Sequence, residues 1–394
     1  MSLALRAGGA ALAALFHVGS AAHGAEWLAG DLHVHTTYSH DSWSGPGDDN
    51  TGVDEAYTFG WSVAEQILLA EARGLDFLVI TDHNDTRSVS DPGYASERLV
   101  LVAGYENSLA GHAQMIGAAT CYEPAVTTEV VDCNQFANKD DPAVVRELAE
   151  NLRAAGGAFQ INHPSDGDWL GAFGDGSSPN PIVPDSIEVW NIGPWHYQPP
   201  FEAANDNDFS IAFWETFLNA GHPVAATGGS DNHWRSTAAV QGVGQPTTWV
   251  YAESRTSAAV AAAIRAGRTF VSREPPAHLG PRVFLEADAD GDGSFESMVG
   301  DTVPAGAALR IRGENLLLGA FYRVVTNEGT TDFDAATEVL TAVPPGRWVR
   351  VEVLRPDARD ERRSLCEPIA GGSTTYCRNR LVVEALTSAI FVAP

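Results

Sequence analysis

The sequence predicts an α/β fold, with parallel strands joined by crossover helices in a doubly wound sheet or a barrel, followed by a β-sandwich-like domain. Two observations carry this. Before about Pro275, short apolar strand-like runs alternate with helical stretches, which is the pattern of βαβ units. From about Pro275 onward the strand-like runs are separated by Gly/Pro turns, with no helical pattern between them. Length agrees with two domains, since single cores rarely grow beyond about 250–300 residues.

Taken in order, the chain opens with Arg6 as its only charge before the apolar stretch Ala10 to Phe16 and the small residues of "VGSAAHGAEW". That reads as a signal peptide over residues 1–24, cut after Gly24, and it implies a periplasmic or secreted protein. The stretch is too short to span a bilayer, and no later run of about 18 apolar residues exists, so no membrane association is expected. His17 and His23 would leave with the leader. Residues 25–274 then form the α/β unit and 275–394 the β-sandwich-like one.

Within the first unit "DFLVI" (76–80), "LVLVAG" (99–104), "HAQMIGA" (112–118), "GAFQI" (157–161), "IEVW" (187–190) and "PVAAT" (223–227) read as buried strands. Helices are expected at "SVAEQILLAEARG" (62–74), "DPAVVRELAENLRAAGG" (141–157), "DFSIAFWETFLNAG" (208–221) and "RTSAAVAAAIRAGR" (255–268). Ser62 and Asp141 are N-caps, Pro142 suits a first turn, and the first three helices end in Gly. The later runs "LRIRGE", "WVRVEVL", "RLVVEAL" and "AIFVA" read as sandwich strands. The four cysteines fall into local pairs, Cys121 with Cys133 and Cys366 with Cys377, which an exported protein would close as disulfides. A formal charge of −27 argues against a nucleic-acid partner.

The chemistry gathers where strands end. "GDLHVHTTYSHDS" (30–42) holds three of the 12 histidines. Spaced two apart on a strand, His33 and His35 share a face and could hold one ion between them. "DFLVI" runs into Asp82 and His83, "LVLVAG" into Glu106, "GAFQI" into His163, and "PVAAT" into Asp231 and His233. Loops at the C-terminal strand ends of an α/β barrel converge on one mouth, where such sites are built. His112 opens a strand, and a tight antiparallel return from Glu106 brings it to the same end. Imidazole with carboxylate suits Zn²⁺, Mn²⁺ or Fe²⁺. The groups exceed one coordination sphere, so two or three ions are expected, with Glu106 the natural bridge. Adjacent ions sharing a hydroxide are suited to hydrolysing an ester, which makes the expected protein a multinuclear hydrolase.

The motifs "DLHVHTTYSHD", "ITDHND", "GYE", "NHP" and "GGSDNH", in this order, resemble the PHP-family metallohydrolases, and the exported form with its added β-domain is most similar to the CehA/McbA branch. The resemblance covers roughly residues 29–272. It implies a distorted (βα)7 PHP-type barrel with a trinuclear site at its C-terminal mouth. Carried over by motif, His33, His35, Glu106 and Asp231 would hold one ion. Glu106, His112 and His163 would hold a second, and His40, His83 and His233 a third. Many relatives have Asp where this chain has His40, and Asp41 is adjacent. The implied activity is hydrolysis of a small-molecule phosphate mono- or diester, with a carboxylic or carbamic ester as the alternative and a non-catalytic metal-binding protein as a third reading. Glu106, His233 and Arg235 are the expected catalytic residues, Arg235 as the partner of a phosphate or else a surface group. Asp31 and Asp82 are expected to orient ligands. His222 and His196 are read as structural, and Arg87 and Asn191 as weaker candidates at the mouth. "DADGDGSFES" (288–297) sets Asp288, Asp290 and Asp292 at a calcium-loop spacing, but Val299 stands where an EF-hand has Glu, so one Ca²⁺ or an acidic turn are both open.

Overall fold

The computed structural model describes residues 24–39, 42, 60–108, 110–121, 141–165, 169–193, 206–233, 242–356 and 381–393. The expected leader, His40, Asp41, His196, Arg235 and three of the four cysteines (Cys133, Cys366, Cys377) lie outside the described residues. So, therefore, do both expected disulfide pairings.

The architecture is mixed α/β with several sheets. Strand β1 (Glu26–Asp31) is followed by α1 (Val63–Ala72), β2 (Phe77–Val79) and β3 (Val100–Val102). Next come β4 (Glu106–Ser108), β5 (His112–Ile116), α2 (Pro142–Ala154), β6 (Ala158–Ile161), α3 (Trp169–Phe173), β7 (Ser186–Asn191), α4 (Asp206–Asn219) and β8 (Ala225–Gly229). Then follow β9 (Thr247–Ala252), α5 (Ser257–Arg265) and β10 (Thr269–Ser272). Strands β1, β2 and β3 pair in parallel, while β9 runs antiparallel to β1 and to β10. A second sheet has the order β4-β5-β6-β7-β8, antiparallel up to β6 and parallel from β6 to β8. Two isolated parallel bridges, Val34↔Asn232 and His83↔Glu106, join the two sheets just past the ends of β1, β2 and β8.

Local chemistry explains the helices. Ser62 and Glu65 form a reciprocal capping box on α1. Asp141 caps α2 by accepting from Ala143 N–H, and Pro142 occupies the first turn. On α2, Val145, Leu148, Ala149 and Leu152 recur at helical spacing and are buried against Phe159 and Ile187. Trp214 and Phe217 of α4 join the same cluster, and Val260 and Ile264 of α5 pack with Leu28, Phe77 and Val250.

Beyond β10 lie β11 (Arg282–Asp288), β12 (Ser297–Met298), β13 (Thr302–Val303), β14 (Ala308–Glu314), β15 (Phe321–Thr326) and β16 (Gly329–Asp334). The last are β17 (Val339–Ala342), β18 (Trp348–Pro356), β19 (Leu381–Thr387) and β20 (Ile390–Val392). Strands β12, β11, β14 and β17 form a four-stranded sheet, and Val283, Leu285 and Ile311 from it share a core with Val349, Val351 and Val353 of β18. The rest extend the first sheet, because β19 pairs antiparallel with β10 through Phe270↔Thr387. Ser388 Oγ accepts Ala226 N–H at 2.8 Å, tying the same stretch to β8.

The expected strands and helices recur with altered bounds: "LVLVAG" supplies only the three residues of β3, whereas "IEVW" lengthens into β7 and "PVAAT" shifts forward into β8. The HxH pair lies beyond β1 and not on it, flanking the isolated bridge of Val34 to Asn232. Among the described residues no helix is long and apolar enough to cross a membrane.

Candidate metal centre

Each candidate ligand follows or opens a strand, and the sheet topology brings these ends together. Residues after β1 carry His33 and His35, residues after β2 carry His83, and Glu106 opens β4. The β4–β5 hairpin sets Ser108 opposite His112, so the antiparallel return does deliver His112 to Glu106. His163 follows β6, and Asp231 and His233 follow β8. Asp231 has φ 49°, a left-handed conformation that Asp tolerates better than most residues, and its N–H donates to the His33 carbonyl at 2.9 Å.

Glu106 sits at the middle, 1% exposed. Its Oε1 lies 3.2 Å from His112 Nδ1 and 3.3 Å from His163 Nε2. Its Oε2 lies 3.3 Å from His33 Nε2, 3.4 Å from His35 Nε2 and 3.1 Å from His83 Nδ1. The two carboxylate oxygens therefore face different imidazole groups. Asp231 Oδ1 lies 3.2 Å from His33 Nε2, from His35 Nε2 and from His233 Nδ1. The His35 and His233 rings stack at 3.8 Å between centroids. Sets of three that could hold an ion include His33, His35, Asp231; His83, Glu106, His112; and His35, His83, His233.

These side chains are aimed by partners behind them. His35 Nδ1 is 2.8 Å from Ser39 Oγ, which also accepts His83 N–H, and His233 Nδ1 is 2.9 Å from the Asp231 carbonyl. Asp31 ligates nothing; it accepts N–H groups of His33, Ser230 and Gly244, clamping three loops. Asp82 likewise accepts the N–H and hydroxyl of Thr36. Below the centre, Asn162 Nδ2 donates to Glu106 Oε1 at 2.7 Å, and Gln160 ties Asn162 to Gln114, Ser186 and Thr227. A fully paired network of this kind fixes the rotamers above it.

Charge is concentrated and buried. Burial alone would depress His33, but Asp231, Glu188 and Glu106 around it raise it well above the usual imidazole value. His163 is also buried, yet its contact with Glu106 pushes it up to about 9. Burial and the neighbouring His233 push His35 down to about 3. Glu106 and Asp231 are held well below the carboxylate range because the surrounding histidines outweigh burial. Burial raises Asp31 to about 6 and Asp82 to about 7.

The residues fit divalent cations. Asp231 Oδ1 and His112 Nδ1 are buried and make no hydrogen bond, although each lies within 3.2 Å of other ligating atoms. Such convergence of acceptors is costly without a cation. Imidazole and carboxylate donors favour Zn²⁺, Mn²⁺ or Fe²⁺.

Glu188 on β7 escapes the sequence reading. It is fully buried, and its Oε1 is 2.9 Å from His33 Nδ1. The one available signal is an acid inside the apolar run "IEVW". Asn191 Nδ2 donates to Glu188 Oε2 and Asp231 Oδ2, so this residue does reach the centre. Arg87 instead forks its guanidinium onto Asp85, over the Tyr38 ring. Far along the chain, Asp288, Asp290 and Asp292 come together with Glu296, and Asp288 accepts N–H groups of Gly291, Asp292 and Gly293.

The close approach of β8 to this centre requires Gly229. A Cβ there would collide with His33 Cβ and lie 2.6 Å from Glu188 Oε1. Gly229→Ala should cost about 1–3 kcal/mol, the scale of overpacking. Denaturant titration checks this; unchanged stability would show that β8 has room the packing denies.

A family model described as a protein of unknown function (DUF3604) matches residues 23–139, a span that includes β1 through β5. No curated protein matches. A crystal structure from Bacteroides vulgatus, described as a two-domain protein containing a predicted PHP-like metal-dependent phosphoesterase, is 15% identical. That match covers 84% of this chain and 91% of that one, with a TM-score of 0.39.

Proposed function

We propose that the protein is a metal-dependent hydrolase of small-molecule esters, phosphate mono- or diesters first, holding two or three divalent ions. The observation that carries this is the buried Glu106, whose two oxygens face separate imidazole groups within one cluster of candidate ligands. His33, His35, Glu106 and Asp231 would hold one ion, and Glu106, His112 and His163 a second. His83 and His233, with His40 or Asp41, would hold a third. Bound there, Zn²⁺, Mn²⁺ or Fe²⁺ would act as Lewis acids and lower the pKa of a water they share. The chain's own residues keep the carboxylates ionised, fix ring orientations, and offer His233 toward a substrate anion, with Arg235, outside the described residues, as the further partner expected from sequence.

A second reading, a carboxylic or carbamic ester, is favoured by one feature: Arg87, the described cation nearest His83 in sequence, is engaged by Asp85. We read β1, β2 and β4 to β8, linked by the two bridges, as a distorted (βα)7 PHP-type barrel of the CehA/McbA kind, with residues 275–394 a β-sandwich-like domain. Export by the leader is part of the same reading.

The test strips the protein with chelator, restores Zn²⁺, Mn²⁺ or Fe²⁺, and offers aryl phosphate, phosphonate, carboxylic and carbamic esters. Metal-restored turnover of a phosphate ester is expected. Turnover indifferent to chelation, or none on any ester, would refute a metallohydrolase.

A further inference from the structure

Strand β7 carries Glu188, which could itself complete an ion-holding group with His33 and His163, and its contacts reach two of the sets above. Its pairing with β8 runs Glu188↔Thr227, then Trp190↔Gly228 and Asn191↔Gly229, so the register shifts between Glu188 and Trp190. Regular alternation would send residues three apart to opposite faces. The bulge re-aims them to one side, and Asn191 Nδ2 reaches Glu188 Oε2 at 3.1 Å and Asp231 Oδ2 at 3.2 Å.

Both oxygens of Glu188 are used as acceptors. Oε2 takes the His163 N–H at 3.1 Å and the Asn191 amide, while Oε1 faces His33 Nδ1 at 2.9 Å. With an ion bound His33 carries one proton, and because an ionised carboxylate can only accept, that proton sits on Nδ1. That leaves the Nε2 lone pair pointing at His35 Nε2, 3.0 Å away, and at Asp231 Oδ1. Asn191 does the parallel service for Asp231: it holds Oδ2 and leaves Oδ1 for the cluster.

We propose that Glu188 and Asn191 form a positioning pair that sets the tautomer of His33 and the orientation of Asp231, and thereby the strength of the ion site formed by His33, His35 and Asp231. The inference rests on the metal-site reading above. It bears mainly on that ion, because neither residue hydrogen-bonds His112, His83 or Glu106, and Glu188 hydrogen-bonds His163 at its backbone N–H rather than its ring.

Glu188→Gln tests it sharply at nearly constant shape. A glutamine has one acceptor oxygen. Placed on the Oε2 side, it keeps the His163 N–H and Asn191 bonds, and its NH₂ then faces His33 Nδ1 and demands a lone pair there. The proton moves to Nε2, and the ligating lone pair is lost. Placed the other way, the NH₂ meets two donors. Zn²⁺ titration followed by calorimetry should therefore show one site weakened by about 10–100-fold, the range for losing a ligand's outer partner. The remaining equivalents should bind as before. In the Zn²⁺-loaded protein, ¹⁵N-histidine spectra should show His33 protonated on Nδ1 before the substitution and on Nε2 after it. Asn191→Ala should weaken the same site with the His33 tautomer unchanged.

Equal Zn²⁺ binding in the unmodified protein and Glu188→Gln overturns the inference. So does weakened binding with His33 still protonated on Nδ1, which makes Glu188 itself a ligand. An unmodified protein that binds no Zn²⁺ fails the metal-site reading instead.

Discussion

Glu106→Gln is expected to remove at least one equivalent of bound metal and to lower turnover by more than the ~10–100-fold typical of losing an outer partner. The substitution keeps shape but replaces one acceptor oxygen with an NH₂. Whichever way the amide turns, it fails one side: toward Oε1 stand His112, His163 and the donating Asn162 amide, and toward Oε2 stand His33, His35 and His83. The lost negative charge would also leave two dications, if both sites fill as proposed, without the anion between them. Metal analysis and ester hydrolysis on the same samples decide it. Full metal content with near-normal turnover would mean that the centre is not organised around this carboxylate.

The second large effect is a coupling of stability, pH and metal. Without ions, protonated imidazoles balance the buried carboxylates. His163 is raised to about 9 from its ordinary 6.5 by Glu106, against the opposing effect of burial. A raised histidine contributes stability fully below pH 6.5 and loses it as pH climbs through 9. The chelator-treated protein should therefore lose on the order of 3 kcal/mol between these limits. Ions require neutral imidazole, so protons compete with them, and added Zn²⁺ should raise the unfolding temperature more at pH 8.5 than at pH 6. Thermal melts of stripped and reloaded protein across that window give both slopes. A stripped protein whose melting point is flat from pH 6.5 to 9 would remove protons from the role of stand-in cations.

The ligand candidates were readable because they sit in short polar segments next to apolar strands, and local sequence carries such contrasts. His33, His35, His83, Glu106, His112, His163, Asp231 and His233 all meet at one centre. The helix caps at Ser62 and Asp141 were readable for the same reason, since a cap is a matter of three or four consecutive residues. Glu188 was not. Its role depends on a bulge and on contact with a residue 155 positions away, and nothing near it in sequence announces either. Short β4 was hidden inside a polar loop, and the pairing of β10 with β19 joins residues more than a hundred positions apart. Periodicity says that a strand forms, not which strand it finds.

That last pairing bears on how the molecule is made. Synthesis proceeds from the amino end, yet β10 gains its outer neighbour only when residues 385–387 have emerged, and Ala226 its hydroxyl acceptor only with Ser388. Until then the growing chain carries an open sheet edge beside strands that deliver the ligands, an invitation to pair with another chain. Non-local contacts of this span form slowly, since loop closure must precede any reward. A centre whose residues run from His33 to His233 thus shares its sheet with residues 385–387, and disrupting that later stretch should be felt first as aggregation during production.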